Sequence, residues 1–397
     1  MLVVATWTGH SAAALRLAMR MTYDEFADHL GVSRRGVTKW ESRPDGVLAT
    51  STQQLLDVAL KQADDETRAR FTLLRQDSST ASDAVITPAT EPDPGPLPHP
   101  TPELLSSLRL GLRHHYTADN LLGPRALLPI ITAQAGIIDR FAREASGSVL
   151  DELLQIGAGY AEFAGWLCQD SGDTSSATTW YRQALEWAQA GQDDTMTAFV
   201  LTRRAAQAIN ARNGAHAARL AHAAQRDTEP ATLRIRTIAA QTEALGHAVH
   251  GDADDADRTL ELAEQLLADG GNDPPTDSDP SNGRYCDMRL YLRISHAKCH
   301  LELGRGDDAI TAFRTVLDTL PAEYHRDRGQ YLARFAQAHV LAEDPDEACT
   351  QAEESLAIAA ATGSSRTIND LRRLLVDLEP WSTRPAVAQL AAMIAAT

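Results

Sequence analysis

Between residues 22 and 43 the apolar positions fall on two short stripes separated by a glycine. Phe26, Ala27 and Leu30 share one helical face, and Val37 and Trp40 share another, which predicts two short helices joined by a tight turn. The flanking residues agree. Thr22 is a good N-cap, with Glu25 three residues on to complete a capping box. Gly31 stands where a helix C-terminus takes a left-handed residue, and Ser33 caps the second helix. Upstream, SAAALRLAMR (11–20) predicts an amphipathic first helix with Leu15, Ala18 and Met19 inward. Downstream of RPDG (43–46), Thr50 or Ser51 caps a fourth helix and Asp64 a fifth. Five short helices make a compact bundle with the helix-turn-helix in its middle.

The pattern stops at 77–102, DSSTASDAVITPATEPDPGPLPHPTP. This stretch is rich in Pro, Ser, Thr and Asp, has no periodicity and reads as a semi-extended linker. From 103 onward the pattern is helical again. PELLSSLRLGLRHHY forms one helix, and RALLPIITAQAGIIDRFAREA a second with Pro129 in its first turns. From about 150 a loose repeat emerges: a helix, a Gly or acidic turn, then Ala five residues on inside a second helix. Gly172 leads to Ala177, Gly251 to Ala256 and Gly304 to Ala309, while Glu343 replaces Gly ahead of Ala348. The unit at Gly214 is irregular, because Arg219 occupies the expected Ala position. The insert DGGNDPPTDSDPSNG at 269–283 is a surface loop by composition. The expectation is an all-α chain: domain 1–76, linker 77–102, and a helical-repeat domain 103–397 with five repeats and a terminal cap at 366–397.

Composition sharpens this. Aromatics are only 5% of the 397 residues and Ala is abundant, a mix suited to packed helices rather than sheets. The net charge of −17 argues against nucleic acid until it is divided along the chain. Residues 1–76 hold ten basic and nine acidic groups, whereas the remainder holds 27 and 45. Within 33–43, four basic residues face Glu41 alone, and Arg34, Arg35, Thr38 and Lys39 occupy the outer face of the second helix. A helix that buries a thin apolar seam and projects cations and a hydroxyl suits the DNA major groove. Cys168, Cys286, Cys299 and Cys349 are scattered without a CxxC pair, which suits free thiols in a reducing compartment. No apolar run approaches the roughly 18 residues of a membrane span, so a cytoplasmic protein without membrane association is expected. His296, Cys299 and His300 share a helix, but no fourth ligand accompanies them, and no metal or other cofactor is expected. No GxSxG, HExxH or P-loop is present, so catalysis is not expected either.

The pattern LR…MTYDEFADHLGVSRRGVTKWE is similar to the XRE-type helix-turn-helix domain of lambda-repressor-like regulators, over residues 11–60. The resemblance implies that Arg34, Arg35 and Lys39 touch base edges, with Thr38 on the same face. It also implies that Ser33 and Tyr23 bind phosphate, although Tyr23 stands where the family commonly carries Gln. Arg16 and Glu41 match an ion pair that ties the first helix to the third.

YAEFAGWLCQDSGDTSSATTWYRQALEWA and CHLELGRGDDAITAFRTVLDTLP resemble tetratricopeptide repeats, in which small residues let paired helices approach closely. Together with LLGPRALLP and the WTG start, they resemble actinobacterial regulators that combine the two domains. The resemblance implies a homodimer that binds double-stranded DNA, with dimerisation and a peptide, small-molecule or protein effector assigned to the repeats. The architecture also resembles the peptide-sensing repeat regulators of other Gram-positive bacteria. Trp166, Arg203, Gln207, Asn210, Arg234 and Arg334 are candidates for the concave effector surface, where arginines would favour a ligand carboxylate. The rival reading is a repeat scaffold for a protein partner whose head tethers it to DNA or is vestigial.

Overall fold

Capping residues set the first helices. In the computed structural model α1 (Gly9–Ala18), α2 (Tyr23–Leu30), α3 (Arg34–Glu41) and α4 (Thr50–Gln62) build the first of two compact units, Met1–Gly95. The structure describes residues 7–19, 21–41, 46–64, 67–68, 71, 100–226, 233–273, 287–322 and 324–397. Thr22 and Glu25 form the expected capping box, and Gly31 ends α2 at φ 68°. α1 begins at Gly9 rather than Ser11, because Thr8 and Ser11 make a second capping box. α4 has Ala49 as its N-cap with no side-chain cap bond, so neither Thr50 nor Ser51 plays that part. Asp64 does accept from the Thr67 N–H at 2.6 Å, but most of the expected fifth helix and the linker lie outside the described residues.

The core of this unit gathers Leu15, Phe26, Val37, Leu56 and Phe71 around Trp7. Trp7 is 1% exposed; its ring stacks on Phe71 and its indole N–H donates to Asp57 at 2.8 Å. Its carbonyl accepts from Leu48 N–H at 2.9 Å and its own N–H donates to Gln53 Oε1 at 3.1 Å. The segment before α1 is therefore sewn to the chain after α3 by one aromatic anchor whose polar edge is satisfied.

The second unit, Pro96–Thr397, is a succession of antiparallel helical pairs. α5 (Pro102–Leu122) and α6 (Pro124–Glu144) lead into five hairpins. These are α7 (Gly147–Ser171) with α8 (Thr174–Ala190), and α9 (Asp194–Asn210) with α10 (Gly214–Arg226). The third and fourth are α11 (Leu233–His250) with α12 (Ala253–Leu266), and α13 (Met288–Glu302) with α14 (Gly306–Thr319). α15 (His325–Leu341) with α16 (Pro345–Thr362) is the fifth, and α17 (Ser365–Asp377) and α18 (Pro385–Ala395) end the chain. Among the described residues there are eighteen α-helices and no strand, and no helix is long and apolar enough to cross a membrane.

One local rule generates the hairpins. A residue in the left-handed region closes each first helix, and the next residue starts the second. Gly172–Asp173, Arg212–Asn213, Gly251–Asp252, Gly304–Arg305 and Glu343–Asp344 are the five instances. Asp173, Asn213 and Asp344 then accept from the backbone N–H three residues on, as N-caps do. Five residues past the left-handed position stand Ala177, Ala217, Ala256, Ala309 and Ala348, all 0% exposed. The unit expected to be irregular obeys the rule once the turn is placed at Arg212, at φ 59°, instead of Gly214. Gly214 permits close packing instead. A Cβ there would lie 2.5 Å from the Gly246 carbonyl oxygen, so α10 and α11 touch backbone to backbone.

Gln192, at φ 54°, makes a left-handed link between hairpins, and its side chain is exposed. An L side chain meets a steric penalty in that region that glycine avoids. Gln192→Gly is expected to stabilise the repeat unit by about 0.5–1 kcal/mol in urea titrations.

Candidate nucleic-acid face and central cavity

α3 separates its two faces cleanly. Val37 is 1% exposed and Trp40 half-buried, whereas Arg34, Arg35, Thr38 and Lys39 are all exposed. Ser33 holds the helix start, its Oγ accepting from Gly36 N–H at 3.2 Å. The Thr38 hydroxyl donates back to the Arg34 and Arg35 carbonyls at 3.1 and 3.2 Å, which leaves its methyl outward. Arg34 lies 3.3 Å from Asp24 of α2, with both side chains more than 60% exposed. An ion pair so open to water holds its partners weakly and yields readily to a stronger anion.

Two further residues singled out in this unit are Tyr23 and Arg16. Tyr23 is half-buried against the core and lies under the Arg16 guanidinium, 4.3 Å from ring centroid to Cζ. Arg16 also donates to the Met21 carbonyl at 3.1 Å, so it ties α1 to the α1–α2 turn and to Tyr23. The other half of the expected ion pair, the Glu41 side chain, lies outside the described residues.

In the repeat unit the first helices of the hairpins converge on a cavity of about 210 Å³, to which α5 and α17 also contribute. Around α7 the charged residues are paired with one another. Glu162, 0% exposed, accepts from Arg203 Nε at 2.7 Å and from the Tyr116 hydroxyl at 2.9 Å. The Trp166 indole N–H donates to Asp119 at 2.9 Å, and its ring is faced by Arg203 and Arg366. Arg326 of α15 reaches Asp119 at 3.1 Å and also pairs with Asp170; Arg366 of α17 lies 3.4 Å from Asp170. The last elements of the unit are thereby clasped to its first ones.

Further polar groups line the cavity from α11, α13 and α15. Arg334 lies 3.4 Å from Asp370 and 3.8 Å from Glu302. The Lys298 ammonium sits over the Tyr331 ring at 5.6 Å. Burial, with Arg334 and Arg366 nearby, pushes its pKa down to about 8. Burial pushes the Asp327 carboxyl up. Gln241, 1% exposed, finds no hydrogen-bond partner for either side-chain atom among the described residues.

Of the six residues expected on the effector surface, Trp166, Arg203, Asn210 and Arg334 line this cavity. Gln207 and Arg234 do not. Gln207 donates to the Thr174 carbonyl and Thr178 hydroxyl between hairpins, and Arg234 to the Asp273 carbonyl at 3.2 Å. Lys298, Gln241, Asp327, Tyr331 and Arg366 were not anticipated. A signal existed for two of them. Gln241 follows the apolar Ile238, Ala239 and Ala240 and stands one turn from Leu245, and Lys298 continues the Leu290, Ile294 stripe at helical spacing.

His296, Cys299 and His300 do not bring their ligand atoms together. Cys299 is buried among core residues, with burial lifting its thiol to about 12, and His296 lies 3.0 Å from Glu264. Cys168 and Cys349 are also free and buried, while Cys286 lies outside the described residues. His247, Asp252 and Asp255, by the α11–α12 turn, are the group among the described residues whose ligand atoms do approach, within 4.8 Å.

Comparison with protein-family models and with curated proteins returns no match for this chain.

Proposed function

We propose that the chain is a sequence-specific DNA-binding transcriptional regulator that works as a homodimer and takes an effector in the cavity of its repeat unit. The observation that carries this reading is the outer face of α3, where Arg34, Arg35, Thr38 and Lys39 stand exposed together on a helix anchored by Val37. Arginine matches the two acceptors of guanine bidentately, and each such contact discriminates by about 1–3 kcal/mol. A head of this size reads only a few base pairs, so two copies spaced by one turn of duplex, about 34 Å, supply specificity. The acidic balance of the rest of the chain is repelled by phosphate, which leaves the head as the part that meets DNA.

Between an effector and a protein partner in the repeats, the clasp of Arg326 and Arg366 onto Asp119 and Asp170 favours a small effector. It bounds the space between the hairpins on the side where an open array would offer a long groove. Control of DNA binding then requires the effector to favour one arrangement of the two heads over the other. Footprinting on random-sequence DNA and on the region upstream of its own gene tests the proposal. Two protected half-sites about 10 base pairs apart, bound more weakly as salt rises, are expected. Protection of no sequence above background would reject the regulator.

A further inference from the structure

We propose that the central cavity binds a small organic anion carrying an amide-like donor–acceptor edge, its charge held by Lys298 and Arg334 and its edge by Gln241. This deepens the reading of the cavity as the effector site and owes nothing to the DNA face.

The amide of Gln241 is the first indication. Its carbonyl and amino groups are both buried and both without partners among the described residues, and the cavity around them is lined by Ile238 and Leu245 of the same helix and Ile294 of α13. A buried amide left unpaired costs stability that a leucine of similar volume would not. A ligand that donates and accepts side by side, such as an amide, lactam or imide, removes that cost.

The charge pattern is the second. Lys298, Arg334 and Arg366 approach one another on α13, α15 and α17, and most of the carboxylates around them are already engaged. Asp170 is taken by Arg326, Glu302 lies between Arg212 and Arg334, and Asp370 is shared by Arg334 and Arg373, each at 3.4 Å. Burial pushes the Asp327 carboxyl up, against the opposing pull of Arg366 and Lys298, and it makes no ion pair among the described residues. Lys298 itself makes no hydrogen bond or ion pair among the described residues and rests against the face of Tyr331. An ammonium in a cavity with no ion-pair partner is disfavoured, and one anion delivered between Lys298 and Arg334 compensates Lys298 and gives Arg334 a further partner. The aromatic and aliphatic residues of the same walls, Tyr291, Tyr331, Ile238 and Leu290, fit a compact apolar body.

The test uses the full chain, with orotate and N-acetylglycinate as anionic probes and uracil and N-acetylglycinamide as their neutral counterparts. Without ligand at pH 7, Lys298→Met and Gln241→Leu are each expected to raise the Tm of the repeat-unit transition by roughly 2–4 °C, since each replaces a polar group of the cavity that has no hydrogen-bond partner. At millimolar concentration at least one anionic probe is expected to raise the wild-type Tm, with no shift from its neutral counterpart. Lys298→Met should abolish that shift, and Gln241→Leu should weaken probe binding at least about tenfold, the scale of one lost hydrogen bond. Lower Tm values for both variants would assign these residues a structural role and overturn the proposal. So would equal shifts from neutral and anionic probes, or no shift from either anion. DNA binding by the wild-type and Lys298→Met chains is measured alongside. Its absence in wild type sinks the regulator reading and leaves the cavity result standing.

Discussion

Replacing Arg34 and Arg35 together by alanine is expected to abolish binding to the preferred DNA sequence while the chain stays folded. The loss follows from the geometry of α3. Both side chains are exposed on the face opposite Val37, and Arg34 pairs with the equally exposed Asp24. Each arginine–guanine contact is worth about 1–3 kcal/mol, so a half-site loses roughly 2–6 kcal/mol, about thirty-fold or more in affinity. Retention of fold follows as directly. The helix is held by Val37 and Trp40 and begun by Ser33, none of which the substitution touches. Surface changes of this kind move stability by about 0.5 kcal/mol or less. Electrophoretic shift and circular dichroism on the same preparations separate the two statements.

The second large effect lies in the repeats. Arg203→Ala is expected to destabilise that unit by about 3–5 kcal/mol, because it strips the guanidinium from the fully buried Glu162 carboxylate. Removing both charges is a different matter. Glu162→Leu combined with Arg203→Met is expected to recover most of the loss or exceed wild type, since a buried pair returns little net stability over apolar packing. Urea titrations read the difference, provided the two units of the chain are fitted as separate transitions. The pair, then, specifies how α7 meets α9 more than it strengthens the contact.

Much of the first unit is legible in the sequence because its signals are local. Thr22, Glu25, Gly31 and Ser33 each act within four residues, and the structure places each as their chemistry requires. Trp7 was not legible as a core anchor. Its partners Gln53, Asp57 and Phe71 lie some fifty residues or more away, and no periodicity links them. The repeats behave similarly. Ala177, Ala256, Ala309 and Ala348 follow a glycine or acidic turn and could be read directly. The register at Arg212 was hidden because a left-handed arginine has no signature in residue type. Which polar residues face the cavity depends on how successive hairpins turn about one another. Gln207 and Asn210 are three residues apart on α9, yet Asn210 lines the cavity and Gln207 bridges to the neighbouring hairpin. Lys298 lies between His296, Cys299 and His300 and is the one residue of that run that lines the cavity.

Whether the outer face of α3 reads DNA is decided by selecting bound duplexes from a random pool. The full-length chain is run beside the Arg34→Ala, Arg35→Ala variant. A palindromic motif with half-sites about 10 base pairs apart is expected, enriched by the wild type and absent from the variant's pool. Enrichment of no motif by the wild type, or of the same motif by both proteins, would contradict a base-reading role for α3.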